Sequence, residues 1–243
     1  ADYFDPGTVE YYNYWHEFAS KHLFGIEIND EIARVAKMNM IVHDDGHTNV
    51  ISFDALDSIE KMHDHNSGFE EGKFDLILTN PPFGSTIKKS EKPYLSGYEL
   101  GKTKDAKGKE KDRPQQSSEV LFIERIWNFL KPGGKAAIIL PDGILTNSSA
   151  QYVRDYILEK FQLLAVVSLP QHAFAHFGAG VKASIIFVRK RKTSEKADPD
   201  EAIFMAAPEL IGYDATGRKT DSQLDEIVTK YEAFRKDATP FFA

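Results

Sequence analysis

Short apolar runs alternate with helical stretches along most of this chain, and that alternation restricts the fold more than any other feature. Residues 22–28, 49–53, 74–79, 136–140, 163–169 and 183–188 each have the length and composition of a strand, and 22–28 and 74–79 read as buried ones. Asn29 or Asp30 can cap a helix in which Ile32, Val35, Ala36 and Met40 share one face. Residues 117–130 and 148–161 repeat apolar positions at helical spacing, and Lys131-Pro132-Gly133-Gly134 breaks the first of these helices. A further strand over 203–206 and a helix over 221–236 close the chain. The class is therefore α/β with a mostly parallel sheet. Residues 84–116 mix Gly, Lys, Ser and Pro without a period, and the sequence predicts a long, mobile loop there.

Ligands in such sheets bind at the carboxyl ends of the strands. Glu27 closes one strand, Asp54 follows the next, and Asn80 follows the third. These three are expected on neighbouring strands, lining one crevice. An acid placed like Glu27 can accept from both hydroxyls of a ribose; it can equally be an acid at a helix N-terminus. Asp54 can accept from an adenine amino group, or be an ordinary turn acid in Asp54-Ala55-Leu56-Asp57. Asn80-Pro81-Pro82-Phe83 is the sharpest signal. Two prolines remove two backbone donors, so nearby carbonyls are left to accept from a ligand. The Asn80 amide oxygen is a second acceptor, and Phe83 offers a face on which a planar base can stack. The plainer reading is a proline-rich turn over a buried Phe.

The ordered set Gly25-Ile26-Glu27-Ile28, Phe53-Asp54-Ala55-Leu56 and Asn80-Pro81-Pro82-Phe83 resembles the amino-group DNA methyltransferases. The nearest likeness is to the modification (M) subunits of type I restriction–modification systems. Ala36-Lys37-Met38-Asn39-Met40, Leu130-Lys131-Pro132-Gly133-Gly134, Ile139-Leu140-Pro141-Asp142-Gly143 and the run from Gly180 to Phe187 are similar to further segments of that family. The resemblance implies a doubly wound, mostly parallel sheet of the S-adenosylmethionine-dependent methyltransferase type, with one reversed strand toward the C-terminal side. It implies N6-adenine methylation of DNA. Glu27 would bind the ribose of the cofactor S-adenosylmethionine, and Asp54, with Ala55 beside it, the cofactor adenine. Asn80 and the Pro81 carbonyl would hold the target amino group, and Phe83 would stack on the base. A second aromatic, Phe174 or in reserve Phe177, would close the sandwich from the other side. DNA, a specificity subunit and a restriction subunit are the implied partners. A catalytic domain over 22–192 follows a lead-in at 1–21 and precedes a C-terminal extension at 193–243.

One departure stands out. The family's glycine-rich cofactor loop has no match before Glu27; Asp5-Pro6-Gly7 echoes it superficially. The chain is expected to start just past that loop and to be inactive alone. Other readings remain: a methyltransferase for a protein glutamine or an RNA base, which also use Asn-Pro-Pro-aromatic, or a non-catalytic piece that docks a specificity subunit. The net charge of −7 argues against a surface that grips nucleic acid everywhere, but leaves room for a local basic face. The segment from Lys88 to Arg113, with nine basic residues against five acids, has two readings: it lies near phosphate, or it is a solvated mobile loop. The chain has no cysteine, which excludes thiolate metal sites, and the pairs His43/His47 and His172/His176 carry no recognised metal-binding acid motif. No apolar run reaches membrane-spanning length, so a soluble globular protein is expected; the lack of cysteine fits a cytoplasmic one, and no bound metal is expected.

Overall fold

Strands that alternate side chains between two faces let the order of layers be read from which residues share a core. The computed structural model describes residues 5, 7–43, 49–105 and 107–241, and these fall into two units divided between Glu71 and Gly72.

In the first unit, helix α1 (Val9–His22) is capped by Thr8, whose side chain accepts from the Tyr11 amide. Strand β1 (Gly25–Glu27) follows, then α2 (Asp30–Val42), β2 (Val50–Ser52) and α3 (Ile59–His65). Asn29 caps α2 by accepting from the Glu31 and Ile32 amides, and Ser58 caps α3. The strands β1 and β2 pair in parallel, with Glu27 opposite Ser52. The first strand is shorter than the run 22–28, because α1 takes His22 and Ile28 lies beyond the pairing, 65% exposed.

The second unit holds a five-stranded sheet. Its members are β3 (Phe74–Thr79), β8 (Leu130–Pro141), β9 (Phe161–Ser168), β10 (Ala183–Lys190) and β11 (Phe204–Ala206), in the order β11-β9-β10-β8-β3. The outer pairs β3·β8 and β9·β11 are parallel, and β10 runs antiparallel to both of its neighbours. Four strands therefore point one way and Ala183–Lys190 alone is reversed. Between β3 and β8 lie β4 (Thr86–Lys88), β5 (Lys102–Lys104), β6 (Glu110–Asp112), β7 (Gln115–Ser117) and α4 (Ser118–Phe129). The short α5 (Asp142–Thr146) and α6 (Gln151–Lys160) lead into β9, while β12 (Ile211–Tyr213), β13 (Lys219–Ser222) and α7 (Leu224–Lys236) end the unit.

Alternation on β9 and β10 defines the layers. Val166, Ile186 and Val188 share a core with Val120, Ile123 and Ile126 of α4 and with Val153 and Ile157 of α6. Ala165, one residue along β9 from Val166 and so on the opposite face, packs with Phe204 and with Phe234 of α7. Helices thus cover both faces of the sheet, as a doubly wound arrangement requires.

Three expectations need correction. First, β3 is not a buried strand: Leu76 and Leu78 are 60% and 72% exposed, because β3 ends the sheet and bonds to β8 alone. It is also not a ladder neighbour of β1 or β2. Second, Lys131-Pro132-Gly133-Gly134 does not separate helix from strand. Strand β8 starts at Leu130, and the pairing jumps from Phe74↔Leu130 to Leu76↔Lys135, so these residues bulge out of a continuing strand with Gly133 at φ +86°. Third, residues 84–116 are not a mobile loop. They form two antiparallel ladders, β4·β7 and β5·β6, with a 3₁₀ turn over Pro93–Gly97. The segment is held because Leu95, Tyr98 and Leu100 are buried. The Glu124 carboxylate of α4 accepts from the Glu99 and Leu100 amides at 2.8 Å each. The Gln116 amide donates to the Leu100 carbonyl and the Tyr152 hydroxyl.

Candidate active site

The residues named from the sequence fall in both units. In the first, Glu27 closes β1 and Asp54 follows β2, so both acids sit at the carboxyl ends of paired parallel strands. One Glu27 oxygen accepts from the Asn29 amide at 2.8 Å. This fixes the carboxylate beside the start of α2 and leaves its second oxygen for a hydroxyl donor. Asp54 accepts from the Leu56 amide at 3.0 Å, and its carbonyl accepts from the Asp57 amide. The turn reading of Asp54 is thus realised. Ala55 is half-buried in that turn. No glycine cradle precedes β1 among the described residues: Gly7 has φ +91°, but it opens the capping turn of α1.

In the second unit the sheet delivers Asn80 to the end of β3, one residue past the last ladder pair Thr79↔Ile138. Asn80 is exposed and Pro81 is buried. Among the described residues, neither the Asn80 side chain nor the Pro81 carbonyl has a hydrogen-bond partner, so both acceptors remain available. The next carbonyl is used: Pro82 accepts from the Ser118 hydroxyl at 3.1 Å, and the Ser118 amide donates to Ser85. Helix α4 therefore holds the turn from behind. Phe83 meets Phe174 edge to face, with ring centroids 5.7 Å apart and planes at 86°. Phe174 is half-buried against the cluster formed by Val167, Leu169, Ala173 and Ile211. Phe177 is 71% exposed and touches the His176 ring instead. The structure brings Phe174 to Phe83 and does not bring Phe177.

A polar group missed by the sequence reading lies on the same sheet crest. Asp142, just past β8, accepts from Lys182 at 2.8 Å and from the buried Ser184 hydroxyl at 2.7 Å. Lys182 also donates to the Ser168 hydroxyl at 2.6 Å. The network ties the ends of β8 and β9 to the start of β10. An acid directly after a strand and a lysine directly before one were the available signals.

The N-6 DNA Methylase family profile matches residues 10–243. The chain belongs to the N-6 DNA Methylase family. Among curated relatives, the type I restriction enzyme MpnII methylase subunit of Mycoplasma pneumoniae is 26% identical over 223 residues. That match covers 88% of this chain and 38% of the relative. The EcoKI methylase subunit of Escherichia coli is 26% identical over 178 residues, covering 68% of this chain and 28% of the relative. The chain thus spans well under half the length of these relatives. Among solved structures, the type I restriction–modification methyltransferase subunit from Streptococcus thermophilus superposes with a TM-score of 0.62 at 21% identity, over 87% of this chain and 42% of that one. The EcoKI M protein superposes with a TM-score of 0.58 at 22% identity, over 89% and 41%. These superpositions establish the fold as of the S-adenosylmethionine-dependent methyltransferase type; a chain from Listeria monocytogenes described as a putative class I S-adenosylmethionine-dependent methyltransferase superposes as well, with a TM-score of 0.61 at 16% identity over 89% of this chain and 55% of that one.

Proposed function

We propose that this N-6 DNA Methylase chain carries the catalytic part of a modification subunit that methylates adenine N6 in DNA. One observation carries the reading: two unpartnered acceptors, on Asn80 and Pro81, sit at a strand end beside the aromatic pair Phe83 and Phe174.

An adenine N6 lies inside its base pair, so the base must leave the duplex to react. An exocyclic amino group offers two protons, and two acceptors match it. The Asn80 amide oxygen and the Pro81 carbonyl draw the nitrogen toward a tetrahedral geometry with its lone pair free. They also stabilise the positive charge that grows on it during transfer. Phe83 stacks on the extruded base, and Phe174 covers the other face. At a 5.7 Å centroid distance the two rings leave no gap for a base, so Phe174 must swing away on capture. Phe177 is the reserve for that position.

The residues at the ends of β1 and β2 fit the cofactor: Glu27 as acceptor for two ribose hydroxyls, and Asp54 with Ala55 for an adenine. Bound there, S-adenosylmethionine supplies an already activated methyl group, so the chain's own part is alignment and charge stabilisation. In this reading residues 22–192 are the catalytic domain, with 1–21 leading into it and 193–243 as an extension. DNA, a specificity subunit and a restriction subunit are the proposed partners, in the cytoplasm; among the described residues no helix is long and apolar enough to cross a membrane.

The test is methyl transfer by the complete enzyme with its specificity partner. Asn80→Ala lowers the transfer rate by ~10²–10³ and leaves DNA affinity nearly unchanged, because it removes an interaction that strengthens only in the transition state. Wild-type turnover by Asn80→Ala would end this reading.

A further inference from the structure

The hairpin β5–β6 is the most strongly charged projection of the second unit. Between Lys102 and Arg113 it carries six basic residues and three acids. Each acid is already engaged. Asp105 accepts from the Lys107 and Lys109 amides at the turn, at 2.8 and 3.0 Å. Asp112 accepts from Lys89 at 2.5 Å and from the Ser96 hydroxyl at 3.0 Å. Glu110 lies 3.8 Å from Lys102. Lys104, Lys107, Lys109 and Lys111 are all exposed, and among the described residues none of them has an ion-pair partner. Four cations thus stand together on a chain whose net charge is −7.

The root of this hairpin is rigid and tied to the catalytic turn. The Arg113 amide and guanidinium donate to the Gly101 and Lys102 carbonyls, and its guanidinium lies 4.3 Å from the Tyr152 ring centre. Glu124 and Gln116 fasten Leu100 from two sides. The inner ladder β4·β7 then runs back to Ser85 and Ser118, two residues from Phe83.

A flexible lysine tail attracts any anion loosely. Here two of the lysines, Lys104 and Lys111, stand on the strands of a hairpin and Lys107 and Lys109 at its turn, in a segment whose base is hydrogen-bonded beside the turn that presents Asn80. We propose that the β5–β6 hairpin is a phosphate-contacting arm that grips the duplex DNA backbone beside the target adenine. The proposal rests on the DNA-methylation reading. The arm supplies position and affinity without sequence information, as phosphate contacts do. It also reconciles an acidic protein with a polyanionic substrate, because phosphate contact needs only a local basic projection.

The experiment measures binding of this chain to a fluorescent DNA duplex by anisotropy across a salt series. One variant combines Lys104→Gln, Lys107→Gln, Lys109→Gln and Lys111→Gln. The control makes the same charge change elsewhere, with Lys196→Gln, Lys219→Gln, Lys230→Gln and Lys236→Gln, all exposed positions. Each phosphate contact contributes about 0.9 to the slope of log affinity against log salt. The hairpin variant is expected to bind at least about tenfold more weakly at low salt, with a slope shallower by roughly 2–4. The control should stay within about twofold of the unsubstituted chain. Thermal unfolding of both variants at the unsubstituted temperature excludes misfolding as the cause. Equal weakening by both variants makes the effect one of net charge and overturns the arm. An unchanged slope in the hairpin variant overturns it as well, while leaving the Asn80 reading intact. If the unsubstituted chain shows no salt-dependent DNA binding at all, the arm falls, and the methylation reading is then decided separately by the Asn80→Ala turnover.

Discussion

Replacing Glu124 with Ala tests whether the inserted segment 84–116 is part of the core or an appendage. The Glu124 carboxylate is 7% exposed and accepts one bond on each oxygen, from the Glu99 and Leu100 amides at 2.8 Å. Hydrogen bonds to a charged group each contribute about 1.5–3 kcal/mol net, and a buried amide left without a partner costs about 1–3 kcal/mol. Against this stands the cost of burying the carboxylate, which disappears in the variant. That cost is large enough here that burial pushes the Glu124 carboxyl above its usual range, although the Leu100 and Glu99 amides pull it back. The expected net loss is roughly 2–4 kcal/mol. For a unit of this size, each kcal/mol moves the melting temperature by about 2–4 °C, so a fall of about 5–15 °C is expected. Calorimetry reads the global effect, and hydrogen exchange reads the local one. The Glu99 and Leu100 amides should lose protection, while the pairs between β8 and β10 keep theirs. A melting temperature within about 2 °C of wild type, with both amides still protected, would refute the claim that this carboxylate fastens the segment.

The same residue gives a pH test. Because its folded pKa is raised, the proton-linked part of the stability that Glu124 contributes is fully present below the ordinary carboxylate range and is lost as pH rises through the raised value, while the bonds from the Glu99 and Leu100 amides persist. The gap in urea stability between wild type and Glu124→Gln should therefore widen as pH falls through the raised value toward the ordinary carboxylate range; a gap that narrows contradicts the raised pKa. Phe174→Ala in the complete enzyme should weaken capture of a flipped 2-aminopurine by about 1–3 kcal/mol, whereas Phe177→Ala should change it less than about twofold. Equal effects would mean that the contact with Phe83 does not choose between them. S-adenosylmethionine binding by this chain, followed by calorimetry, should be weak and should vanish in Glu27→Ala, because no glycine cradle precedes β1 among the described residues. Affinity typical of a complete methyltransferase, or unaltered binding by Glu27→Ala, would exclude that account.

Much of the fold was legible because it is written locally. Strands such as Phe161–Ser168 and Ala183–Lys190 are built around continuous apolar runs, 163–167 and 185–188, and Asn29 announces α2 by its cap. The turn Asn80-Pro81-Pro82-Phe83 was legible for the same reason, since two prolines fix their own backbone whatever surrounds them. What could not be read depends on contacts between distant residues. Phe174 and Phe177 lie three apart on one loop and look alike in sequence; only the packing of Phe174 against Phe83, 91 residues away, tells them apart. Asp142 and Lys182 form a network only after β8, β9 and β10 are aligned. Pro132-Gly133-Gly134 carries the signature of a chain break and becomes a bulge because β3 continues to pair on both sides of it.

The inserted segment hides its order for a more general reason. Its apolar residues, Leu95, Tyr98 and Leu100, are scattered among charges and show no strand or helix period of their own. Their burial is completed by Glu124 and Arg125 on α4, the latter donating to the Tyr98 hydroxyl at 2.6 Å. A periodicity argument looks along the chain and misses a core whose second half lies on another element. The segment also leaves and returns at one point, since the Ser118 amide donates to the Ser85 carbonyl at 2.9 Å. Closing the excursion at its base keeps the Asn80 turn in place whatever the excursion contains. Catalytic geometry and surface charge are thereby separated within one stretch of sequence. The turn is held by Ser118 and the sheet, and the hairpin beyond it can present lysines to a polyanion without disturbing the acceptors on Asn80 and Pro81.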